Sequence, residues 1–175
     1  MTTTDPSRAP AGGSADESLD AIELQTAILV RNLEMLRRRS DFYREVDRAG
    51  YLLLRTLQAM GPADISTLAA TLGLDPSTTG RQVAAAHAAG LVERAPTPDD
   101  RRRTVITPTP RGIEAMRAVL RRRRDGTAEI LDAWNEDDLR TLSFMFTRYN
   151  QAIAARYLDP DTGRSQGDST VTRPA

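Results

Sequence analysis

Between Asp64 and Gly112 the chain reads DISTLAATLGLDPSTTGRQVAAAHAAGLVERAPTPDDRRRTVITPTPRG, and its stops and starts fall so close together that few folds accommodate them. Asp64 suits the cap of a short helix over Ile65 to Leu72, because its carboxylate accepts from the free N–H groups of a first turn. Ile65, Leu68, Ala69 and Leu72 fall at i, i+3, i+4 and i+7, which places them on one buried stripe. Gly73 ends this helix, Leu74 is expected to point inward, and Asp75-Pro76 restarts the chain. Asp75 suits a second cap, and Pro76 suits a first helical position, where its missing N–H costs nothing. The second helix, over Pro76 to Ala89, has Thr79, Val83 and Ala86 on an inward face. Its outer face carries Ser77, Thr78, Gly80, Arg81, Gln82 and Ala85. Two short helices joined by about one turn form a helix-turn-helix.

That outer face is short and polar. Arg pairs with guanine O6/N7, Gln with adenine N6/N7, and small hydroxyl residues admit a close backbone, so the face suits a DNA major groove. Gly80 costs roughly 1 kcal/mol of helix propensity against Ala, which is consistent with close approach at that point. The helix alone leaves open whether its outer face is simply solvated. The next segment shifts the balance toward nucleic acid. Gly90 closes the helix, Leu91 to Arg94 has strand character, and Thr104 to Thr107 is a β-branched return strand. The tip between them carries Asp100, Arg101, Arg102 and Arg103. Three adjacent arginines repel one another unless a polyanion lies alongside, and Arg suits both phosphates and a narrow minor groove. Asp100 is placed to hold Arg102 extended before binding.

The net charge of zero argues against a nucleic-acid partner until its distribution is read. Residues 75–124 hold eleven arginines against five acids, so the rest of the chain is correspondingly acidic. A dipolar chain of this kind orients on DNA while binding only moderately at physiological salt. All basic residues other than the single histidine are arginine, a compositional habit rather than a binding signal.

The segments Gly61-Pro62, Leu68-Ala69, Leu72-Gly73, Ser77, Arg81, Val83, Ala89 to Arg94, Asp100 to Arg103 and Thr109 to Gly112 together resemble the MarR family of bacterial transcriptional regulators. The resemblance runs ungapped from Gly61 to Gly112, and outside it the helix layout agrees without a sharp motif. It implies a dimeric winged-helix protein that puts the second helix in the major groove and the wing in the minor groove. Repression is the commoner mode in that family, and many members release DNA when a small anionic or aromatic ligand binds. By the same resemblance, Asp100 and Arg102 match the family's wing pair, and Ser77, Thr78, Arg81 and Gln82 match its recognition surface. Thr79 and Ala86 depart from the larger apolar residues usual there, and Pro108 replaces a usual Leu, which implies a looser core beneath the second helix.

The expected fold is mainly α with a small β-hairpin wing: a winged helix-turn-helix core plus N- and C-terminal helices forming a dimerisation lobe. Residues 1–16 and 159–175 are expected to be disordered tails, from their Thr, Pro, Ala, Gly, Ser and Asp content. Residues 17–40 form the N-terminal dimerisation helix, 41–108 the DNA-binding region, and 109–158 the C-terminal dimerisation helices. From about Ser18, Leu19, Ile22, Thr26, Leu29, Leu33 and Leu36 recur at three- and four-residue steps. A helix of that length needs a partner, either its own domain or a second copy. Tyr51 to Met60 is expected to support the core from behind. Phe42, Tyr43 and Tyr51 either line a cavity for a small aromatic or anionic effector, as the resemblance implies, or are plain packing. After the wing, Thr109-Pro110 starts a helix whose apolar members run from Ile113 through Val119 to Leu131 and Trp134. Arg121 to Arg124 lie within it and cover all its sides; they are expected to be solvated or paired with acids such as Asp125 and Glu129, with a backbone-phosphate role for one or two of them left open. Asn135 and the three acids after it start a last helix, with Leu139, Leu142, Met145, Phe146, Tyr149 and Ile153 on one face. Leu19, Ile22, Leu29, Leu142, Phe146, Tyr149 and Ile153 are therefore the dimerisation candidates.

Catalysis has little to stand on. The lone His87, with no Cys, builds neither the usual metal sites nor a nucleophile–base pair, and no Gly-rich phosphate loop is present. No cofactor or metal is expected, and the absence of Cys removes disulfides and thiol-based peroxide sensing. No apolar run is long enough to span a bilayer, and no leader pattern opens the chain, so a cytoplasmic homodimer on double-stranded DNA is expected. The rival is a winged helix used for protein contacts, with only non-specific DNA affinity.

Overall fold

The computed structural model describes residues 14–96 and 104–158. The expected tails, apart from residues 14–16, lie outside the described residues. The chain divides into two compact units, Met1–Asp41 and Phe42–Ala175.

The described part of the first unit is essentially one helix, α1 (Ala15–Arg39). It starts three residues before the apolar periodicity does, because Ser14 and Glu17 form a capping box. Ser14 Oγ accepts from the Glu17 N–H at 3.2 Å, and Glu17 Oε2 accepts from the Ser14 N–H at 3.0 Å. Arg37, Arg38 and Arg39 sit at the other end, where the helix dipole favours cations. None of its residues is fully buried; Leu19 is 61 % exposed, and Ile22 and Leu33 are also exposed, while Leu29 is half-buried.

The second unit holds the core. Helix α2 (Arg48–Met60) begins three residues earlier than its apolar run, since Asp47 Oδ1 accepts from the Gly50 N–H at 2.7 Å. It buries Tyr51, Leu53, Leu54 and Leu57 and stops at Gly61, whose φ of 86° a residue with a Cβ rarely adopts. Helices α3 (Ile65–Leu72) and α4 (Pro76–Ala88) form as their caps dictate, with Asp64 Oδ1 accepting from Thr67 and Asp75 Oδ1 from Thr78. Between them Gly73 adopts the left-handed conformation (φ 66°) and Leu158 packs over its Cα. Leu74 corrects an expectation: its side chain is 37 % exposed rather than inward. Its N–H closes α3 by donating to Ala69 O at 3.0 Å, which fixes Leu74 in the turn between α3 and α4.

Strands β1 (Val92–Pro96) and β2 (Thr104–Pro108) pair antiparallel, with Val92 opposite Pro108 and Pro96 opposite Thr104. Ala63 joins the other edge of β2 through two backbone hydrogen bonds with Ile106, a third strand position that periodicity does not reveal. Helix α5 (Pro110–Ile130) follows, capped by Thr109, and buries Gly112, Met116 and Val119. It ends before Leu131 and Trp134, which lie in the turn beyond, where the Trp134 N–H donates to Leu131 O. Helix α6 (Glu136–Tyr157), capped by Asn135 through the N–H groups of Asp137 and Asp138, has no buried residue. Its face of Met145, Phe146, Tyr149 and Ile153 is exposed, and Leu142 is half-buried. The core joins α2, α3, α4, the hairpin and α5 through Leu53, Leu54, Leu57, Leu68, Val83, Ile106, Met116 and Val119.

Candidate nucleic-acid interface

Helix α4 is anchored by an inward face that buries Thr79, Val83 and Ala86. At 0 % exposure, the Thr79 hydroxyl finds no partner among the described residues, so the departure from a larger apolar side chain leaves an unsatisfied group beneath the helix. The outer face presents Ser77 and Arg81 to solvent, with Thr78, Gly80 and Gln82 half-buried beside them. These five expected site residues therefore lie on the first turns of one helix.

The polar groups on this face are tied to one another. Asp75 Oδ1 accepts from Ser77 Oγ at 2.6 Å and from the Thr78 N–H at 2.8 Å. An Arg81 terminal amine donates to Thr78 Oγ1 at 2.8 Å. The Ser77 hydroxyl first, then the Thr78 side chain and N–H, with the Arg81 charge beyond, hold the Asp75 carboxyl well below the usual carboxylate range. Asp75 therefore stays ionised at the positive end of the helix dipole and steadies the turn that carries Ser77 and Thr78.

The hairpin leaves the end of α4 through Gly90, which has a φ of 68°. Its base is locked to α5 by Thr109: the N–H donates to Leu91 O at 3.0 Å, and the hydroxyl donates to Gly90 O at 2.7 Å while accepting from the Gly112 N–H at 3.0 Å. Gly112 approaches the backbone so closely that a Cβ there would lie 2.0 Å from Leu91 O. Sequence reading places Thr109 as a cap and Gly112 in a motif; that both serve one joint is visible only in three dimensions. The wing tip with Asp100, Arg101, Arg102 and Arg103 lies outside the described residues.

The aromatic candidates come together on α5. Tyr43 and Tyr51 meet edge to face at 6.1 Å, and the Arg123 guanidinium lies 5.6 Å from both ring centres. Arg123 also donates to the Tyr43 hydroxyl. The Phe42 ring sits against Gly126, where a Cβ would be 2.6 Å from its Cζ. Arg122 forms a two-pronged pair with Glu45, and this hydrogen bonding holds the Glu45 carboxyl below its ordinary value. The run is expected to be solvated or paired with acids such as Asp125 and Glu129: Arg123 is exposed, and Arg122 does pair with an acid, but that acid is Glu45 rather than a neighbour on its own helix. Neighbours i+3 and i+4 along a helix are available to any arginine, but Glu45 and Tyr43 lie some 80 residues away and are supplied by the segment before α2.

Among the described residues no group of three or more His, Cys, Asp and Glu could hold a metal ion, and no helix is long and apolar enough to cross a membrane.

The model of the MarR family matches residues 46–103. YxaD of Bacillus subtilis, described as an HTH-type transcriptional regulator, is 30 % identical over 135 residues, which cover 77 % of this chain and 94 % of YxaD. Among solved structures, the Rv1404 protein of Mycobacterium tuberculosis is 29 % identical with a TM-score of 0.63, over 83 % of this chain and 98 % of that one. A MarR family protein from Bacillus stearothermophilus shares the fold with a TM-score of 0.70 at 17 % identity, over 81 % of this chain and 99 % of that one.

Proposed function

The chain belongs to the MarR family of transcriptional regulators, which are not enzymes, and on that premise we propose that it is a homodimeric repressor of a palindromic operator, released by a small-molecule effector. The observation that carries the reading is the face of α4: a capped, polar helix start with Arg81 and Gln82 outward on a buried footing of Thr79, Val83 and Ala86. Ser77, Thr78, Gly80, Arg81 and Gln82 enter the major groove, and Asp100 with Arg101, Arg102 and Arg103 reaches the minor groove.

Two features support the dimer. Helices α1 and α6 each leave an apolar face uncovered within one copy, and chains of this size rarely expose such faces without a partner. A second copy covers Leu19, Ile22 and Leu29 on one, and Leu142, Phe146, Tyr149 and Ile153 on the other. For the effector, Phe42, Tyr43 and Tyr51 supply aromatic surface and Arg123 supplies a cation over two of the rings, a pairing that suits a small aromatic anion. The charge distribution and the absence of a spanning helix among the described residues are in keeping with action on DNA in the cytoplasm.

Selection of bound sequences from random DNA at two salt concentrations tests the reading. Enrichment of an inverted repeat with half-sites about 10 bp apart is the expected result. Arg102→Ala should then weaken binding and make the salt dependence shallower while the dimer stays intact. Weak binding that vanishes with salt and enriches no motif would refute operator recognition and favour a winged helix used for protein contacts.

A further inference from the structure

On the outer face of α4, Arg81 is not free to swing. Its guanidinium is drawn back about one helical turn by the 2.8 Å bond to Thr78 Oγ1, toward the N-terminal end that a recognition helix directs at base edges. Thr78 is itself steadied, since its N–H donates to Asp75 Oδ1 at 2.8 Å and the same oxygen takes the Ser77 hydroxyl at 2.6 Å. The bond to Thr78 uses one of the guanidinium's five N–H donors, which leaves enough for a two-pronged contact with guanine O6 and N7. Position 80 is open as well: a Cβ on Gly80 would meet no atom within 4 Å.

We propose, resting on the reading of α4 as the DNA-recognition helix, that Thr78 is a specificity-positioning residue: its hydroxyl holds Arg81 in the one direction that reads a guanine in each half-site. Arg loses much rotamer freedom when fixed, and a guanidinium already held loses less on binding. That saving applies only to the base in line with the held direction. A released Arg81 reaches phosphates and neighbouring bases nearly as well, so loss of the hydroxyl appears in discrimination rather than in overall affinity.

The experiment compares wild type, Thr78→Val, Thr78→Ser, Arg81→Ala and the double variant Thr78→Val/Arg81→Ala. Binding is measured to the selected operator, to operators with each base pair changed in turn, and to unrelated DNA. Arg81→Ala is expected to remove roughly tenfold or more of the discrimination at one G·C pair per half-site. Thr78→Val should lower discrimination at that same pair roughly 3- to 10-fold, well beyond any change in its binding to unrelated DNA. Thr78→Ser should restore it, and in the Arg81→Ala background Thr78→Val should have no further effect. A uniform loss across all sequences, a loss at a different base pair, or a full effect in the Arg81→Ala background would overturn the proposal, because Thr78 would then act on DNA by itself. A wild-type protein that selects no sequence at all would overturn the recognition-helix reading and this proposal with it.

Discussion

Gly112→Ala pits two opposite effects against each other at one position. Ala is the better helix former by about 1 kcal/mol, so propensity alone forecasts a stabilised protein. The structure forecasts the reverse. The new Cβ would lie 2.0 Å from Leu91 O, 2.9 Å from Leu91 C and 3.2 Å from Leu54 Cδ2. A carbon and a carbonyl oxygen rest at about 3.3 Å, so the helix start and the strand base must separate by more than 1 Å. The obstacle is backbone, which cannot rotate aside as a long side chain can. Separation also breaks the hydrogen bond from the Thr109 N–H to Leu91 O, worth about 1 kcal/mol. Overpacking strain adds about 1–3 kcal/mol. With the propensity gain set against these, the net loss is about 1–3 kcal/mol, or a melting midpoint lower by roughly 2–12 °C for a chain of this size. Thermal and urea unfolding, run at equal protomer concentration so that association does not shift the midpoint, make the comparison. A midpoint equal to or above that of the parent would refute the close approach and the joint built on it.

Three further outcomes are expected. Thr79→Val, which keeps shape and removes a buried hydroxyl without a partner, should stabilise the fold by about 1 kcal/mol; a lower midpoint in urea unfolding would show that the hydroxyl is satisfied after all. Gly80→Ala should raise stability by about 0.8–1 kcal/mol, because its Cβ meets no protein atom, while weakening operator binding if DNA comes close there; unchanged operator affinity would remove the case for close approach. Asp75 is the pH-dependent cap: its folded pKa lies below the unfolded value, so the unfolded chain binds the extra proton and the cap's contribution is present above the unfolded value of about 3.9 and lost as pH falls through the folded value. Melting curves of wild type and Asp75→Asn should therefore differ by a constant amount from pH 5 to 7 and change relative to each other only below about pH 4. A difference that varies between pH 5 and 7 would contradict the direction of that shift.

Much of the DNA-binding unit was legible because its signals are local. Asp64, Asp75, Thr109 and Asn135 each cap the helix that follows, and a cap acts within three residues of itself. Gly73 and Gly90 mark turns for the same reason, since positive φ is a property of one residue. The inward face of α4 follows from its 3.6-residue period, as does that of α3 at Leu68 and Ala69, whereas Ile65 and Leu72 at the ends of the expected stripe are only half-buried. Misreadings began where a side chain's fate depends on distant chain. Leu74 is expected inside on the strength of its apolarity, but it lies exposed in the turn between α3 and α4, where its N–H closes α3. Arg122 and Arg123 are expected to be solvated or paired with acids such as Asp125 and Glu129; Arg123 is exposed, but the acid that Arg122 meets, Glu45, and the Tyr43 hydroxyl that Arg123 reaches come from the segment before α2.

The candidate site divides along the same line. Residue types and spacing alone put Ser77, Thr78, Gly80, Arg81 and Gln82 on the outer face of α4, because a helix of known start has a fixed angular order of side chains, while packing leaves Ser77 and Arg81 exposed and the other three half-buried. Tertiary structure decided that Ala63 extends the hairpin by pairing with Ile106, that Thr109 and Gly112 clamp the wing base to Leu91, and that Arg123 lies over Tyr43 and Tyr51. Local sequence determines a cap or a periodic face because both arise from short-range sterics and hydrogen bonding along the chain. A contact between residues 18 to 80 positions apart exists only once packing has brought them together, and no periodicity in the sequence records it.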